Sequence, residues 1–285
     1  MRIYNILFNV LDNLKNPNYW SYVIIKSLDI TKKKAEDEPY EDVKRKLLEY
    51  LVQNVKVNEQ VKGYLNTVKE ALLANGFELR EVRIEALYPV MVGGSETFGK
   101  LAFEVGLMFD PIFNVPYIPG STIKGAVKAA LCELVSKEKS KEEAEKLCKE
   151  IFGDEESASL VGFTDAYPIK VKENKNNYLL YPDVMTPHYS EETKDELDIK
   201  PNPIIYVTIA PGTEFKFYMF FKRSRTGKRI TREIKNRIAE NPQPTEELLG
   251  IVDKALLYAL IKGIGAKTAL GYSKFKVVEY MSIQK

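Results

Sequence analysis

The chain has 285 residues, 45% hydrophobic and 29% charged, with 42 basic and 40 acidic residues and a formal net charge of +2. This length allows one large domain or two small ones with a sizeable core, and the near-neutral balance excludes nucleic-acid binding by net charge alone, so any such binder must concentrate its cations locally. No apolar run approaches the ~20 residues of a membrane span, and "MRIYNILFNVLDNLKN" is broken by Asn and Asp and lacks a small-residue cleavage site, so it reads as a first structural element of a cytoplasmic protein.

Residues 1–76 predict a helical region. Leu47, Leu48, Leu51, Val52 and Val55 fall at helical spacing, and Gly76 stops the last helix. The period then changes: Val82, Ile84, Ala86 and Tyr88 alternate with Arg83, Glu85 and Leu87, as in a half-buried strand. "KLAFEVGLMFD" (100–110) predicts a second strand. Pro119-Gly120 turn the chain, Ser121 or Thr122 caps, and a helix runs from about Ile123 to Leu134, with a more charged helix over Lys141 to Ile151. Cys132 and Cys148 fall in these helices and suggest a reducing interior without a metal cluster. "SASLVGFTDAYPIKV" (157–171) is strand-like. Residues 171–203 are polar, proline-punctuated and without a sustained period, as in an inserted arm. Two strands follow around Pro211-Gly212, then a basic stretch, then a helix capped by Thr245 and stopped by Gly263, and a last strand from about Tyr272. The order predicts an α+β fold: a ferredoxin-like (RRM-like) βαββαβ core over 77–285, carrying the arm at about 171–203, with the helical region 1–76 packed on it.

"GIGAKTALGYSKF" (263–275) sets glycines beside a Lys-Thr pair, which raises the possibility of a nucleotide-binding P-loop. A P-loop runs strand, loop, helix and binds phosphate at the helix N-terminus. Here a helix precedes and a strand follows, the dipole end disfavours anions, and the Walker spacing is unmet. The helix stop needs only Gly263 and Gly265. Lys267, Thr268, Gly271 and Tyr272 remain, and exposed N–H groups with a lysine and an aromatic suit an extended sugar-phosphate chain.

Ser121, Thr122, Lys124 and Lys128 open the helix at about 121. They read either as a phosphate site at a helix N-terminus or as a cap and a solvated lysine face. Lys222 to Arg237 is the one concentrated basic block and includes Arg223, Arg225, Lys228 and Arg229, suited to phosphate or to an acidic neighbouring subunit. His188, the sole histidine, has no evident second proton-transfer group, so with Tyr189 it reads as an RNA or subunit contact ahead of a general acid–base. Asp165 and Asp183 read as structural. No metal-ligand spacing and no cofactor motif is present, and the aromatic signature of RRM domains is missing, which argues against base stacking on an open sheet.

The pattern G-x-G-x-K-T-x-x-G-Y between a helix and the last strand resembles the signature loop of the RAMP superfamily of CRISPR RNA-binding proteins, and "YIPGSTIKGAVKAAL" (117–131) resembles that family's first-helix segment. "FTDAYP" (163–168), "DVMTPHY" (183–189) and "PNPIIYVTIAPGTEFKF" (201–217) together look like the sixth-subunit family of type III-B (Cmr) effectors. The likeness spans about 85–280 and departs at Ser273, where many relatives carry glycine and where closer backbone approach is in doubt. It implies a ferredoxin-like fold and a non-catalytic subunit that holds the guide RNA backbone toward its 3′ side. The implied partners are guide RNA, target RNA, the backbone subunits and the first subunit of the complex. It also raises the RNA-backbone reading of residues 121–128 above the bland one. The alternatives are a metal-independent CRISPR endoribonuclease using His188 and an RNA binder outside CRISPR.

Overall fold

A computed structural model of the chain describes residues 45, 48–49, 51–96, 98, 103, 105–137, 139–172, 178–186, 203–222 and 250–283. Helix α1 (Gln60–Ala74) turns Val61 and Leu65 inward, and Gly76, at φ +78°, lets the chain reverse into strand β1 (Phe77–Ala86). Leu48, Leu51 and Val55, upstream, join the same core as the sheet.

Strand β1 is central. On one side it pairs antiparallel with β8 (Thr213–Lys222), on the other with β9 (Phe275–Ile283). The outer edge of β8 is shared by β4 (Val161–Phe163) and β5 (Tyr167–Val171), so the order is β4-β8-β1-β9 with β5 also on β8. The period-2 alternation of β1 divides the sheet into two chemically distinct faces. Val82 and Ile84 stand opposite Phe217 and Phe215, on the face covered by helices α2 (Gly120–Ser136) and α4 (Ile251–Lys262), with α3 (Lys141–Phe152) packed on α2. Arg80 shares that face and pairs at 3.4 Å with Asp253 of α4, both buried, while Tyr280 of β9 donates to the same carboxylate. Burial pushes the Asp253 carboxyl up and the Arg80 charge pulls it back. Removing one partner of such a pair costs about 3–5 kcal/mol, so the triad anchors α4 to the sheet.

The opposite face is an ion-pair lattice. Arg83 bridges Glu214 at 2.9 Å and Glu279 at 2.8 Å, Lys216 meets Glu81 at 2.6 Å, and Lys276 meets Glu85 at 2.9 Å. Lys172 also meets Glu85. The cations of this face are therefore spent on the face itself.

The structure corrects several expectations. The strand over 100–110 shrinks to β2 (Phe109–Asp110), paired with β3 (Val115–Pro116), and Phe103 is helical. The amides of Gly106, Leu107 and Met108 bond back to Gly94, Phe98 and Val92, so the apolar run reports burial and not a sheet ladder. The strand over 157–171 breaks in two because Ala166 pairs with Ile118. The arm is not irregular throughout: β6 (Leu180–Met185) pairs along its whole length with β7 (Ile204–Ile209). Pro182 argues against a central strand, but β6 is an edge, where proline costs no ladder bond. Helix α4 starts after the N-cap Gly250, whose N–H meets Asp253 at 2.9 Å, and the expected cap Thr245 lies outside the described residues. Cys132 and Cys148 are joined as a disulfide between α2 and α3, with a Cα separation of 6.2 Å that the packed helices bring within reach. No helix among the described residues is long and apolar enough to cross a membrane.

Candidate nucleic-acid interface

The start of α2 is built by close backbone approach. A Cβ on Gly120 would stand 2.3 Å from the Phe163 carbonyl oxygen, so only glycine lets the helix begin against the 163–165 segment. Asp165 then accepts the Gly120 N–H at 2.7 Å. The expected cap by Ser121 or Thr122 is therefore corrected: Pro119 is the N-cap residue, no side-chain hydroxyl caps the helix, and a carboxylate from another element sits at its positive pole. A charged acceptor binds a backbone donor more strongly than a hydroxyl does. Ser121 is exposed and Thr122 half-buried. Lys124 and Lys128, half-buried and one turn apart, lie on one side of the helix. Burial, and after it the charge of Lys128, lowers the Lys124 pKa from the ordinary lysine value.

The glycine loop is likewise folded inward. Gly263 (φ +112°) ends α4, and a Cβ there would meet Thr268 at 2.7 Å. Gly265 (φ +131°) passes so close to the 91–92 backbone that a Cβ would stand 2.5 Å from the Met91 carbonyl oxygen. The amides of Ile264, Ala266, Tyr272 and Ser273 bond to Ser273, Met91, Lys267 and Pro89. The expectation of a loop rich in exposed N–H groups is thus corrected, because most of its amides serve the loop's own docking. Ser273 departs from glycine without loosening the approach. It is buried at φ +57°, and its Oγ accepts the Met91 N–H at 3.0 Å.

Lys267, also left-handed at φ +56°, precedes the short 3-10 helix Thr268–Leu270. Its Nζ lies 4.7 Å from the Tyr206 ring centre and 5.5 Å from that of Tyr272, and donates to Tyr206 Oη at 3.0 Å. Tyr206 and Tyr272 in turn donate to Asp183 Oδ2 at 3.1 and 2.6 Å. Burial lowers the Lys267 pKa from its ordinary value and the Asp183 charge partly restores it. The hydrogen bond to Asp183 raises the Tyr272 phenol. Of the expected loop residues, Lys267 and Tyr272 thus meet in one network, whereas Gly263, Gly265, Thr268 and Gly271 shape the backbone. Tyr206 is not among the residues the sequence motifs point to. Its signal lies in register, since it faces Asp183 across the hairpin.

The packing of α2 against α4 sets the two lysine groups relative to each other. Glu133 accepts from Tyr258 Oη at 2.7 Å and from Lys262 Nζ, and Lys137 Nζ reaches Tyr258 Oη at 3.5 Å. The helices therefore run antiparallel, and the first turns of α2 project past the end of α4 from which the glycine loop leaves. At ~1.5 Å per residue, Lys128 and Lys124 lie roughly 7 and 13 Å along the axis beyond Glu133. Arg223, Arg225, Lys228, Arg229, His188 and Tyr189 lie outside the described residues.

The profile of the RAMP superfamily matches residues 83–276. The chain is 34% identical over 280 residues to the CRISPR system CMR subunit Cmr6 of Saccharolobus solfataricus, covering 96% of this chain and 86% of that protein. It is also similar, with TM-score 0.68 and 34% identity over 86% of this chain and 74% of the other, to a chain of the type III-B Cmr-β complex bound to cognate target RNA, solved by cryo-electron microscopy.

Proposed function

The chain belongs to the RAMP superfamily, and from that premise we propose that it is a non-catalytic, RNA-binding subunit of a type III-B CRISPR ribonucleoprotein effector. We read the order β9-β1-β8-β4/β5, with α2 and α4 on one face, as the ferredoxin-like plan. The observation that carries the function is the division of cations between two surfaces. On the ion-pair face of the sheet, arginine and lysines neutralise neighbouring glutamates. At the loop end of the helix layer, Lys124, Lys128 and Lys267 stand on rigid elements. A row of cations without base-reading groups grips a phosphate backbone and is nearly indifferent to sequence. Ser121, Thr122 and the basic block with Arg223, Arg225, Lys228 and Arg229 would extend that track along the guide RNA toward its 3′ side. His188 and Tyr189 would meet RNA or a neighbouring subunit.

Asp183 takes two phenol donors and Asp165 caps a helix, which supports the structural reading of both acids. The assignment is tested by expressing the chain with the other effector subunits and analysing what co-purifies. Guide RNA and the neighbouring subunits are expected in stoichiometric amounts, and a chain recovered free of both contradicts the reading. His188→Ala is expected to leave RNA cleavage by the assembled complex unchanged. A hundredfold loss with assembly intact would make the chain an endoribonuclease.

A further inference from the structure

We propose that Asp183 is a positioning residue for the RNA grip, fastening the glycine loop's Lys267 and Tyr272 to the β6–β7 hairpin so that the Lys267 ammonium is held toward an RNA phosphate. The inference rests on the reading of Lys267 as a backbone contact and adds that its position is set from another element. Lys267 has a long flexible stem, and an exposed lysine of this kind has many rotamers to lose on binding. Here the stem is fixed in advance. The ammonium spends one donor on Tyr206 Oη at 3.0 Å and lies over the faces of Tyr206 and Tyr272. An ammonium has three donors, so two remain for a phosphate.

The Tyr206 ring is held by its burial, but the Tyr272 ring is only half-buried and neither phenol O–H has a direction until an acceptor gives it one. Both are turned by one oxygen, Asp183 Oδ2, which accepts Tyr272 at 2.6 Å and Tyr206 at 3.1 Å. The other carboxylate oxygen accepts the Val184 N–H at 2.8 Å and so fixes the carboxylate in its strand. Tyr206 is fully buried on β7, directly across the ladder from Asp183. The chain of bonds Lys267 to Tyr206 to Asp183 to Tyr272 thus closes a ring across three separate pieces of backbone. A carboxylate so close to a phosphate site is electrostatically unfavourable for RNA. Its effect through geometry and its effect through charge therefore have opposite signs, which makes the proposal decidable.

The test titrates the full-length chain with a labelled single-stranded RNA at several salt concentrations, using Lys267→Ala, Asp183→Asn, Tyr272→Phe and the Asp183→Asn/Lys267→Ala double variant. Lys267→Ala is expected to weaken binding about fivefold and to lower the salt slope by about 0.7, the signature of one phosphate fewer on a single strand. Asp183→Asn should produce most of that loss although it removes a negative charge, and the double variant should lose no more than Lys267→Ala alone. Tyr272→Phe removes one hydrogen bond to Asp183 and should weaken binding in the same direction, which decides the matter if Asp183→Asn does not fold. Asp183→Asn or Tyr272→Phe binding as tightly as the parent or tighter, or losses that add in the double variant, overturns the positioning role. A Lys267→Ala chain with unchanged affinity and slope removes Lys267 from the RNA site and the proposal with it, whereas a weakened Lys267→Ala beside a full-strength Asp183→Asn sinks the role of Asp183 alone.

Discussion

The start of α2 and the glycine loop are made of similar ingredients, glycines, hydroxyls and lysines, and use them differently. At α2 the helix pole is filled by Asp165, the glycine admits a neighbouring strand end, and the cations stand along the side of a rigid rod. In the loop the glycines admit the 91–92 backbone, the amides close on the loop's own frame, and the single cation is steered by phenols and a carboxylate from the hairpin. A motif that looks like an anion nest is, in both places, architecture for presenting lysine side chains. On the proposed reading, RNA binding at α2 depends on helix rigidity, and at the loop on a hydrogen-bond ring.

Substitution of the glycines separates the two regions most sharply. Gly265→Ala forces a Cβ to 2.5 Å from the Met91 carbonyl at a φ of +131°. Strain and overpacking together should cost roughly 4 kcal/mol, read by chemical denaturation. Gly125→Ala, on the exposed side of α2 with nothing within 4 Å, should instead stabilise by about 1 kcal/mol. Equal shifts at the two sites would erase the distinction. Reducing the Cys132–Cys148 bond, which ties α2 to α3 across 16 residues, should cost about 3 kcal/mol. Because the bond does not touch the loop, the Lys267→Ala effect on RNA affinity should be the same with and without reductant.

Smaller effects probe the helix pole. Asp165→Ala leaves the Gly120 N–H without its acceptor and should cost about 1–2 kcal/mol, while Ser121→Ala/Thr122→Ala should stay within ~0.5 kcal/mol. The reverse order would restore the hydroxyl cap. The smallest effect is on pH dependence. Burial lowers the pKa of Lys124 and Lys267. As pH rises, these two lose their charge before an ordinary lysine at ~10.4 does, so RNA affinity should fall on the approach to that range. For stability the sign is opposite: a depressed lysine pKa penalises the folded state while the group is charged, and the penalty fades as pH passes upward through the folded pKa. Lys267→Arg should flatten the decline in affinity, since guanidinium stays charged. A decline identical to that of the parent would show that Lys267 does not titrate at the RNA site.

Much of this is readable in the chain. The alternation from Val82 to Ala86, the helix behind "GSTIKGAVKAAL" and the helix-loop-strand order around Gly263 are local patterns, and local patterns survive folding. What escapes is non-local. Asp165 at the α2 pole and Tyr206 beneath Lys267 are set by partners 45 and 61 residues away in sequence, which no periodicity records. The hairpin stem at Leu180–Met185 hides behind Pro182, a strand breaker except at an edge. Phe103 to Met108 looks like a strand because an apolar run signals burial, and burial is shared by every buried conformation. Ser273 reads in sequence as a looser substitute for glycine, but its hydroxyl takes over an amide that would otherwise be stranded.

The central claim, that RNA is gripped by lysines at the loop end of the helix layer and not by the sheet face, is tested most directly by salt titration of single-stranded RNA binding. Two variants are compared with the parent: Lys124→Ala/Lys128→Ala/Lys267→Ala at the helix end, and Lys216→Ala/Lys276→Ala in the ion-pair lattice. The account predicts that the slope of log K against log salt falls by about 2 in the first, at about 0.7 for each phosphate no longer neutralised, and is unchanged in the second. An unchanged slope in the helix-end variant, or a comparable fall in the sheet variant, would contradict it.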